Sequence, residues 1–216
     1  MIPLVPPGRR ADPVVVKPDT ETPFDGLVYR LVVAVDVEGY SKLDALDQSL
    51  AQSRLGEVLD VAARNAGLDR ARWYRQLRGD GELAVLPPDV DTASVIAHFT
   101  EEVGRALREQ RRNGTPLRIR LAMHCGTLTT GRFGLVGDAP IVTCRLLDSR
   151  VVRKELAHGD GDLVLVISRR LFDDVVRTRF HELDPSRFRA ARFSAKGASY
   201  AGYLCAGAPR AELVET

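Results

Sequence analysis

The order of strands and helices from Val28 onward restricts the possible folds more than any other feature of this sequence. "VYRLVVAVDV" predicts a strand, and the amphipathic segment after it predicts a helix that ends at Gly67. "WYRQLRGDGELAVLP" predicts two strands joined by a tight turn at Gly79-Asp80-Gly81. Helices and strands continue to alternate as far as Cys205, in the overall order βαββαβαβαβ. Because hairpins are mixed with crossovers, we predict an α+β sandwich with helices on one face of a mainly antiparallel sheet.

The chain is predicted to consist of an arm, one domain and a short tail. The first 26 residues hold six of the twelve prolines and predict an extended arm over 1–26. The regular pattern predicts one globular domain over 27–207, which leaves 208–216 as a C-terminal tail. Within the domain, "IVTCRLLDSRVVRKELAHG" predicts one continuous helix. The apolar face predicted for the first helix comprises Leu43, Leu46, Leu50, Val58, Leu59 and Ala62.

Composition argues against several classes of function. The 216 residues are 44% hydrophobic and 28% charged, as in ordinary globular proteins, and the net charge is only +2. Such a small charge gives no basis for DNA, RNA or membrane binding. Cys125, Cys144 and Cys205 form no CxxC motif, which argues against a disulfide framework and against a zinc site. No apolar run approaches the ~18–20 residues that span a bilayer, so we predict a cytoplasmic protein.

Two histidines and one basic segment receive structural interpretations. His124 lies in a predicted strand and has no second histidine at metal-ligand spacing, so we predict a core residue. His98 lies on a predicted helix and is interpreted as a surface or edge residue. "LREQRRNG" stands at a helix end, where basic side chains complement the helix dipole, and it is not interpreted as a nucleic-acid patch.

Two acids stand at the ends of predicted strands, namely Asp36 after "VVAV" and Asp80 in the hairpin turn. If these strands are neighbours, the two carboxylates converge, and without a cation they repel each other. Mg²⁺ or Mn²⁺ makes the arrangement favourable, because these ions prefer anionic oxygens and also bind phosphates. Gly39 permits a tight turn after Asp36, in which successive backbone N–H groups face a phosphate. Either acid alone also fits the role of a simple turn former.

Five segments in order resemble the motifs of class III (adenylate/guanylate-type) nucleotidyl cyclase catalytic domains. "VAVDVEGYSKL" resembles the first metal motif, and "QLRGDGELAVLP" resembles the second. The other three are "LRIRLAMHCGTLTTGRFG", "GDAPIVTCRLLDS" and "FSAKGASYAGYL". Together they span Val28 to Cys205, and the resemblance rests on the ordered set. It implies a ferredoxin-like class III cyclase fold in 27–207, working as a head-to-tail homodimer with its sites between the subunits.

The resemblance also implies roles for individual residues. Asp36 and Asp80 would hold two divalent metal ions, Mn²⁺ or Mg²⁺, assisted by the backbone carbonyl of Val37. Arg145 and Lys196 would stabilise charge on the phosphates of a nucleoside triphosphate. The implied substrate contacts are Val37, Glu38, Gly39, Tyr40, Ser41, Tyr74, Gln76, Gly134 and Ile141. Ile141 stands where the family has an Asn that orients the sugar, and Gln76 and Gly134 stand at the two base-reading positions.

The base-reading positions depart from the purine patterns of the family. Gln76 is neither the Lys associated with adenine nor the Glu associated with guanine, and its amide can both donate and accept hydrogen bonds. This departure resembles the pyrimidine cyclases of anti-phage signalling, which make cyclic UMP or cyclic CMP for a separate effector. Three alternatives remain. They are an adenylate cyclase with an atypical base pocket, a degenerate nucleotide-binding or dimerisation module that lacks the Asn at Ile141, and a polymerase-like or phosphodiesterase palm, which also places two acids on adjacent strands.

Overall fold

The computed structural model describes residue 24, residues 26–195 and residues 197–207. The predicted arm, apart from Phe24 and Gly26, therefore lies outside the described residues, as do Lys196 and the predicted tail at 208–216. The strands are β1 Val28–Val37, β2 Tyr74–Arg78, β3 Gly81–Val85, β4 Ile119–Gly131, β5 Gly134–Val136, β6 Leu163–Ser168, β7 Arg189–Ala195 and β8 Ala198–Ala206. The helices are α1 Ala45–Asn65, α2 Thr92–Ser94, α3 Thr100–Arg112, α4 Asp138–Leu147, α5 Arg150–His158 and α6 Arg169–Asp174.

The strands form one sheet in the order β2-β3-β1-β4-β6-β8-β7, and β5 pairs with β4 as a hairpin. Strands β4 and β6 are parallel, while the other pairings of the described strands are antiparallel. The prediction of an α+β fold with a mainly antiparallel sheet is therefore confirmed. In this order β2 and β7 are the two edges of the described sheet.

Helices cover both faces of the sheet, so the prediction of helices on one face is wrong. Val33 and Val35 of β1 pack in a core with side chains of α1 and α3. Val32 and Ala34 of the same strand pack in a second core with side chains of α4 and α5. The sequence carries the physical reason, because a strand buried on both faces is continuously apolar rather than alternating, and "LVVAV" is such a run.

Two predictions about helices also need correction. Leu46 and Leu50, predicted on the buried face of α1, are 70% and 40% exposed, and the buried stripe begins at Ala51. The predicted continuous helix over 141–159 is two helices, because α4 ends at Leu147 and α5 starts afresh. The Ser149 hydroxyl accepts a hydrogen bond from the backbone N–H of Val152 and caps α5, which offers the chain a new helix start.

None of the helices in the described ranges is long and apolar enough to cross a membrane.

Candidate active site

The β2–β3 hairpin places Asp80 beside the end of β1. In the register of β1 and β3, Asp36 lies opposite Gly81, and the backbone N–H of Val37 donates to the carbonyl of Asp80 at 2.9 Å. Gly81 permits this approach, since a Cβ there would lie 1.9 Å from the carbonyl oxygen of Val35. The two strand-end acids thus lie at one corner of the sheet, as their positions in the sequence predicted.

Asp36 is buried and is bound by a guanidinium. Arg120 of β4, directly opposite Asp36 in the strand register, donates from Nε to Oδ1 at 2.7 Å and from Nη2 to Oδ2 at 2.8 Å. Burial raises the pKa of Asp36 to about 6, the charge and hydrogen bonds of Arg120 act in the opposite direction, and the charges of Asp80 and Asp148 raise the pKa further. A metal ion bound by Asp36 would therefore compete with the guanidinium of Arg120.

Sequence analysis did not assign Arg120 to the site. The available signal was an arginine within the apolar strand "LRIRLAM", because a charged side chain in a buried strand requires a partner. Its partner lies 84 residues earlier in the chain and is determined by the register of β1 against β4.

The turn from Glu38 to Ser41 presents unused backbone donors beside Asp36. Gly39 adopts the left-handed conformation with φ 70°, and a short 3₁₀ turn follows over Tyr40–Lys42. The N–H of Glu38 donates to the carbonyl of Arg118, and the N–H of Lys42 donates to Gly39. The N–H groups of 39–41 donate no hydrogen bond within the described part of the chain. Consecutive free N–H groups of this kind form an anion-binding concavity.

Tyr40 connects this turn to the hairpin. Its hydroxyl accepts a hydrogen bond from the side-chain amide of Gln52 at 2.7 Å, and the same amide donates to the carbonyl of Gly79 at 2.8 Å. Beside the turn, the carboxylate of Glu38 pairs with Arg118 at 3.0 Å, with both side chains 28% exposed. These contacts hold the turn and the hairpin together around the two aspartates.

The two predicted base-reading positions lie side by side. Gly134 begins β5 with φ 118°, and a Cβ there would lie 3.0 Å from Nε2 of Gln76 on β2. The Gln76 side chain makes no hydrogen bond to any residue that the structure describes. Tyr74, two residues earlier on the same face of β2, packs its ring edge-on against Phe24, with 5.6 Å between the ring centroids. Ile141 lies on α4 and is 47% exposed.

Arg145 contacts Tyr200. Its guanidinium donates to the Tyr200 hydroxyl and lies over the Tyr200 ring, 5.4 Å from the centroid. Across the described ranges, no hydrogen bond or ion pair joins Arg145 or Gln76 to Asp36 or Asp80. We call Asp36 and Asp80 the acidic set. We call Gln76, Gly134 and Arg145 the second set.

The acidic set fits a hard divalent ion. Among the described residues, no group of three or more His, Cys, Asp or Glu side chains is arranged to hold a metal ion. Asp36 and Asp80 supply two carboxylates, and Mg²⁺ typically binds through one or two carboxylates together with substrate phosphates and water. The donor atoms thus match Mg²⁺ or Mn²⁺ in the presence of a nucleotide, with the carbonyl of Val37 as a further oxygen donor.

The two histidines lie away from this site. His124 is 4% exposed and bonds to Ser168 at 2.7 Å and to Asp138 at 3.2 Å, so its interpretation as a core residue is confirmed. Burial lowers the pKa of His124. His98 is half-buried and bonds to His181 at 3.2 Å.

Comparisons with known proteins identify the fold. No family model matches the sequence, and no curated protein matches it. The guanylyl cyclase Cya2 is 17% identical with a TM-score of 0.59, and the match covers 88% of this chain and 96% of that one. The guanylate cyclase domain of RhGC from Catenaria anguillulae, in complex with GTP, is 17% identical with a TM-score of 0.56. That match covers 83% of this chain and 97% of the RhGC domain. A bacterial light-regulated adenylyl cyclase is 16% identical with a TM-score of 0.60. That match covers 91% of this chain and 57% of the adenylyl cyclase chain. The chain has the fold of class III nucleotidyl cyclase catalytic domains.

Proposed function

We propose that this protein is a nucleotidyl cyclase, which converts a nucleoside triphosphate into a 3′,5′-cyclic nucleotide and pyrophosphate with two divalent metal ions. The observation that supports the proposal best is the corner at which Asp36 and Asp80 meet beside the backbone N–H groups of 39–41, which donate no hydrogen bond to any described residue. That corner offers carboxylates for divalent ions and donors for phosphate oxygens in a fold that resembles known cyclases. The reaction is an in-line attack of the ribose 3′-oxygen on the α-phosphorus, with pyrophosphate leaving.

Each set of residues has a role in this reaction. The turn over 38–41 binds and orients the triphosphate through its backbone N–H groups. Asp36 and Asp80 would hold the divalent ions, which when bound would lower the pKa of the attacking hydroxyl and offset the charge of the triphosphate. Arg145 and Lys196 neutralise the negative charge that develops on the phosphates as the new bond forms.

A head-to-tail homodimer brings the two sets together. Arg145 makes no hydrogen bond or ion pair with the aspartates among the described residues, which supports a site whose second set comes from a partner, and a symmetric pair then forms two identical sites. Exposed apolar side chains near the second set support an interface there. They are Phe133 at 92%, Val136 at 48% and Ile141 at 47% exposure.

We propose a pyrimidine nucleotide, UTP or CTP, as the substrate. The support is the Gln76 amide, which has no partner within the described residues and faces the side-chain-free Gly134. An amide both donates and accepts, as the edges of uracil and cytosine require, whereas the family uses charged side chains to read purines. The product would serve as a second messenger in anti-phage defence for a separate effector. An adenylate cyclase with an atypical pocket is the alternative within the same chemistry.

The test is incubation of the purified protein with each of the four NTPs and Mn²⁺, with the products identified by mass. We expect cyclic UMP or cyclic CMP, and Asp36→Asn should abolish turnover while the dimer persists. Asp89→Asn is the control, since Asp89 is an exposed acid that pairs with Arg72. Turnover of ATP or GTP alone would show the pyrimidine assignment to be wrong.

Mixing inactive variants tests the shared site. Asp36→Asn and Arg145→Ala should each be inactive alone, whereas an equal mixture should regain about a quarter of wild-type activity. Half of the dimers in the mixture are heterodimers, and each heterodimer keeps one intact site of two. No recovery after subunit exchange would mean that each protomer builds its site alone.

A non-catalytic nucleotide-binding module is the second candidate. Two observations favour it, namely the guanidinium of Arg120 on Asp36 and the apolar Ile141 at the sugar-orienting position. A wild-type protein that binds a nucleotide in the presence of Mn²⁺ but turns over none of the four NTPs would support this candidate over the cyclase.

A further inference from the structure

We infer that a groove between helix α1 and edge strand β2 is a binding site for a small organic anion that carries an apolar group. The groove has a volume of about 490 Å³, within the usual range of ligand sites. Side chains of both elements and of β3 line it. It lies on the α1 face of the sheet, whereas Gln76 points to the α4 face. Arg78 also lines the groove, and it donates from Nη2 to Sγ of Cys144 at 3.3 Å.

Arg75 is one of three arginines that line this groove, together with Arg70 and Arg78. Its side chain is half-buried and makes no hydrogen bond or ion pair with any described residue. Burial lowers the pKa of the neighbouring Arg70, and the charge of Arg75 lowers it further, so the two guanidiniums repel each other. Three arginines face two carboxylates here, those of Glu82 and Asp60, so the groove keeps one excess positive charge, which favours the binding of an anion from solution.

The acids of the groove are already committed to Arg70. Arg70 is 7% exposed and bonds to Glu82 at 2.9 and 2.8 Å and to Asp60 at 2.7 Å. Neither carboxylate forms an ion pair with Arg75 within the described residues, although burial raises the pKa of Glu82 and the charges of Arg70 and Arg75 lower it. The Nε of Arg70 is buried and has no hydrogen-bond partner among the described residues.

Three leucines also line the groove, and they favour a ligand that carries an apolar group. Leu55 and Leu59 of α1 are buried beneath the groove, and Leu77 of β2 is 50% exposed. Leu77 lies next but one to Arg75 on β2, so both side chains point to the same face of the sheet. A ligand of this kind would bind Arg75 through its acid group and would pack its apolar group against these leucines.

The groove also contacts the hairpin that carries Asp80. Gln52 and Gly79 line it, and the Gln52 amide bonds to the Gly79 carbonyl. An effect of bound anion on catalysis through this contact rests on the proposed function. Binding itself does not, so failure of the experiment below would leave the cyclase proposal intact.

The probe is 8-anilinonaphthalene-1-sulfonate, which combines an anionic group with aromatic rings, and its neutral counterpart is N-phenyl-1-naphthylamine. Fluorescence titration of the full chain should show saturable binding of the sulfonate. Arg75→Gln should weaken that binding about tenfold or more, because it removes a charge-assisted contact. Arg192→Gln is the matched control, since Arg192 is an exposed arginine on β7, the opposite edge strand.

We expect the neutral compound to bind more weakly than the sulfonate and to be insensitive to Arg75→Gln. Circular dichroism should show that both arginine variants are folded. Leu77→Ser should weaken the binding of both compounds. Displacement of the sulfonate by octanoate or octyl phosphate distinguishes a carboxylate ligand from a phosphate ligand. Displacement by neither, an unchanged titration of Arg75→Gln, or equal losses in the two arginine variants would overturn the inference.

Discussion

Replacement of Arg120 by Met should destabilise the fold in a pH-dependent manner. The guanidinium contacts both carboxylate oxygens of Asp36, and the two side chains are only 11% and 8% exposed. Methionine fills much of the same volume but leaves the carboxylate buried without a partner. Removal of one member of a buried pair typically costs about 3–5 kcal/mol, and we expect a loss of that size at pH 8.

The pH dependence follows from the direction of the pKa shift. Burial outweighs Arg120 and raises the pKa of Asp36 from 3.8 in the unfolded chain to about 6. The stability that protonated Asp36 contributes is fully present below pH 3.8 and is lost as the pH rises through about 6. Ionisation above that pH therefore costs the fold about 3 kcal/mol. Without Arg120 the pKa of Asp36 should rise further, so acidification should recover most of the stability that the variant has lost.

Urea unfolding at pH 5, 6.5 and 8 measures these quantities. The set comprises wild type, Arg120→Met, Asp36→Asn and the double variant, which together yield the coupling free energy of the pair. Arg153→Met is the control, because Arg153 pairs with Asp148 at an exposed site. We expect the deficit of Arg120→Met to shrink from pH 8 to pH 5 and the deficit of Arg153→Met to stay small throughout. A deficit of Arg120→Met that is equal at pH 5 and pH 8 would refute the reasoning.

Three further predictions concern folding stability and are measured by urea or thermal unfolding. Glu82→Gln should lower the free energy of unfolding by about 3–5 kcal/mol, because it removes a negative charge that pairs with the buried guanidinium of Arg70. A loss below about 1 kcal/mol would contradict this prediction. Gly81→Ala should cost about 1–3 kcal/mol, since its Cβ would lie 1.9 Å from a carbonyl oxygen. Gly79→Ala is its control, because the nearest atom is 4.0 Å away, and equal effects would show the close approach to be unimportant. His124→Ala should cost about 2–4 kcal/mol through a cavity and two lost hydrogen bonds, whereas the exposed His158→Ala should have little effect.

Local patterns in the sequence predicted the strands, the hairpin and the position of the two acids. The reason is that the apolar run before Asp36 and the glycines around Asp80 act within a few residues. The partner of Asp36 was not predicted, since Arg120 meets it only through the register of two strands 84 residues apart. The exposure of Leu46 and Leu50 was missed for a similar reason. Helical periodicity shows which residues share a face, but it does not show where along α1 the face first meets the sheet.

The charge balance of the acidic corner determines how metal ions can enter it. Asp36 and Asp80 carry two negative charges and Arg120 carries one positive charge, so the corner has a single excess negative charge. Two divalent ions without a nucleotide would reverse that charge and would have to displace the guanidinium. A triphosphate carries about as much negative charge as two divalent ions carry positive charge, so the metal–nucleotide complex leaves the balance unchanged. Under the proposed function, we therefore expect the ions to bind together with the nucleotide, while Arg120 remains at the corner and turns from Asp36 to the incoming phosphates.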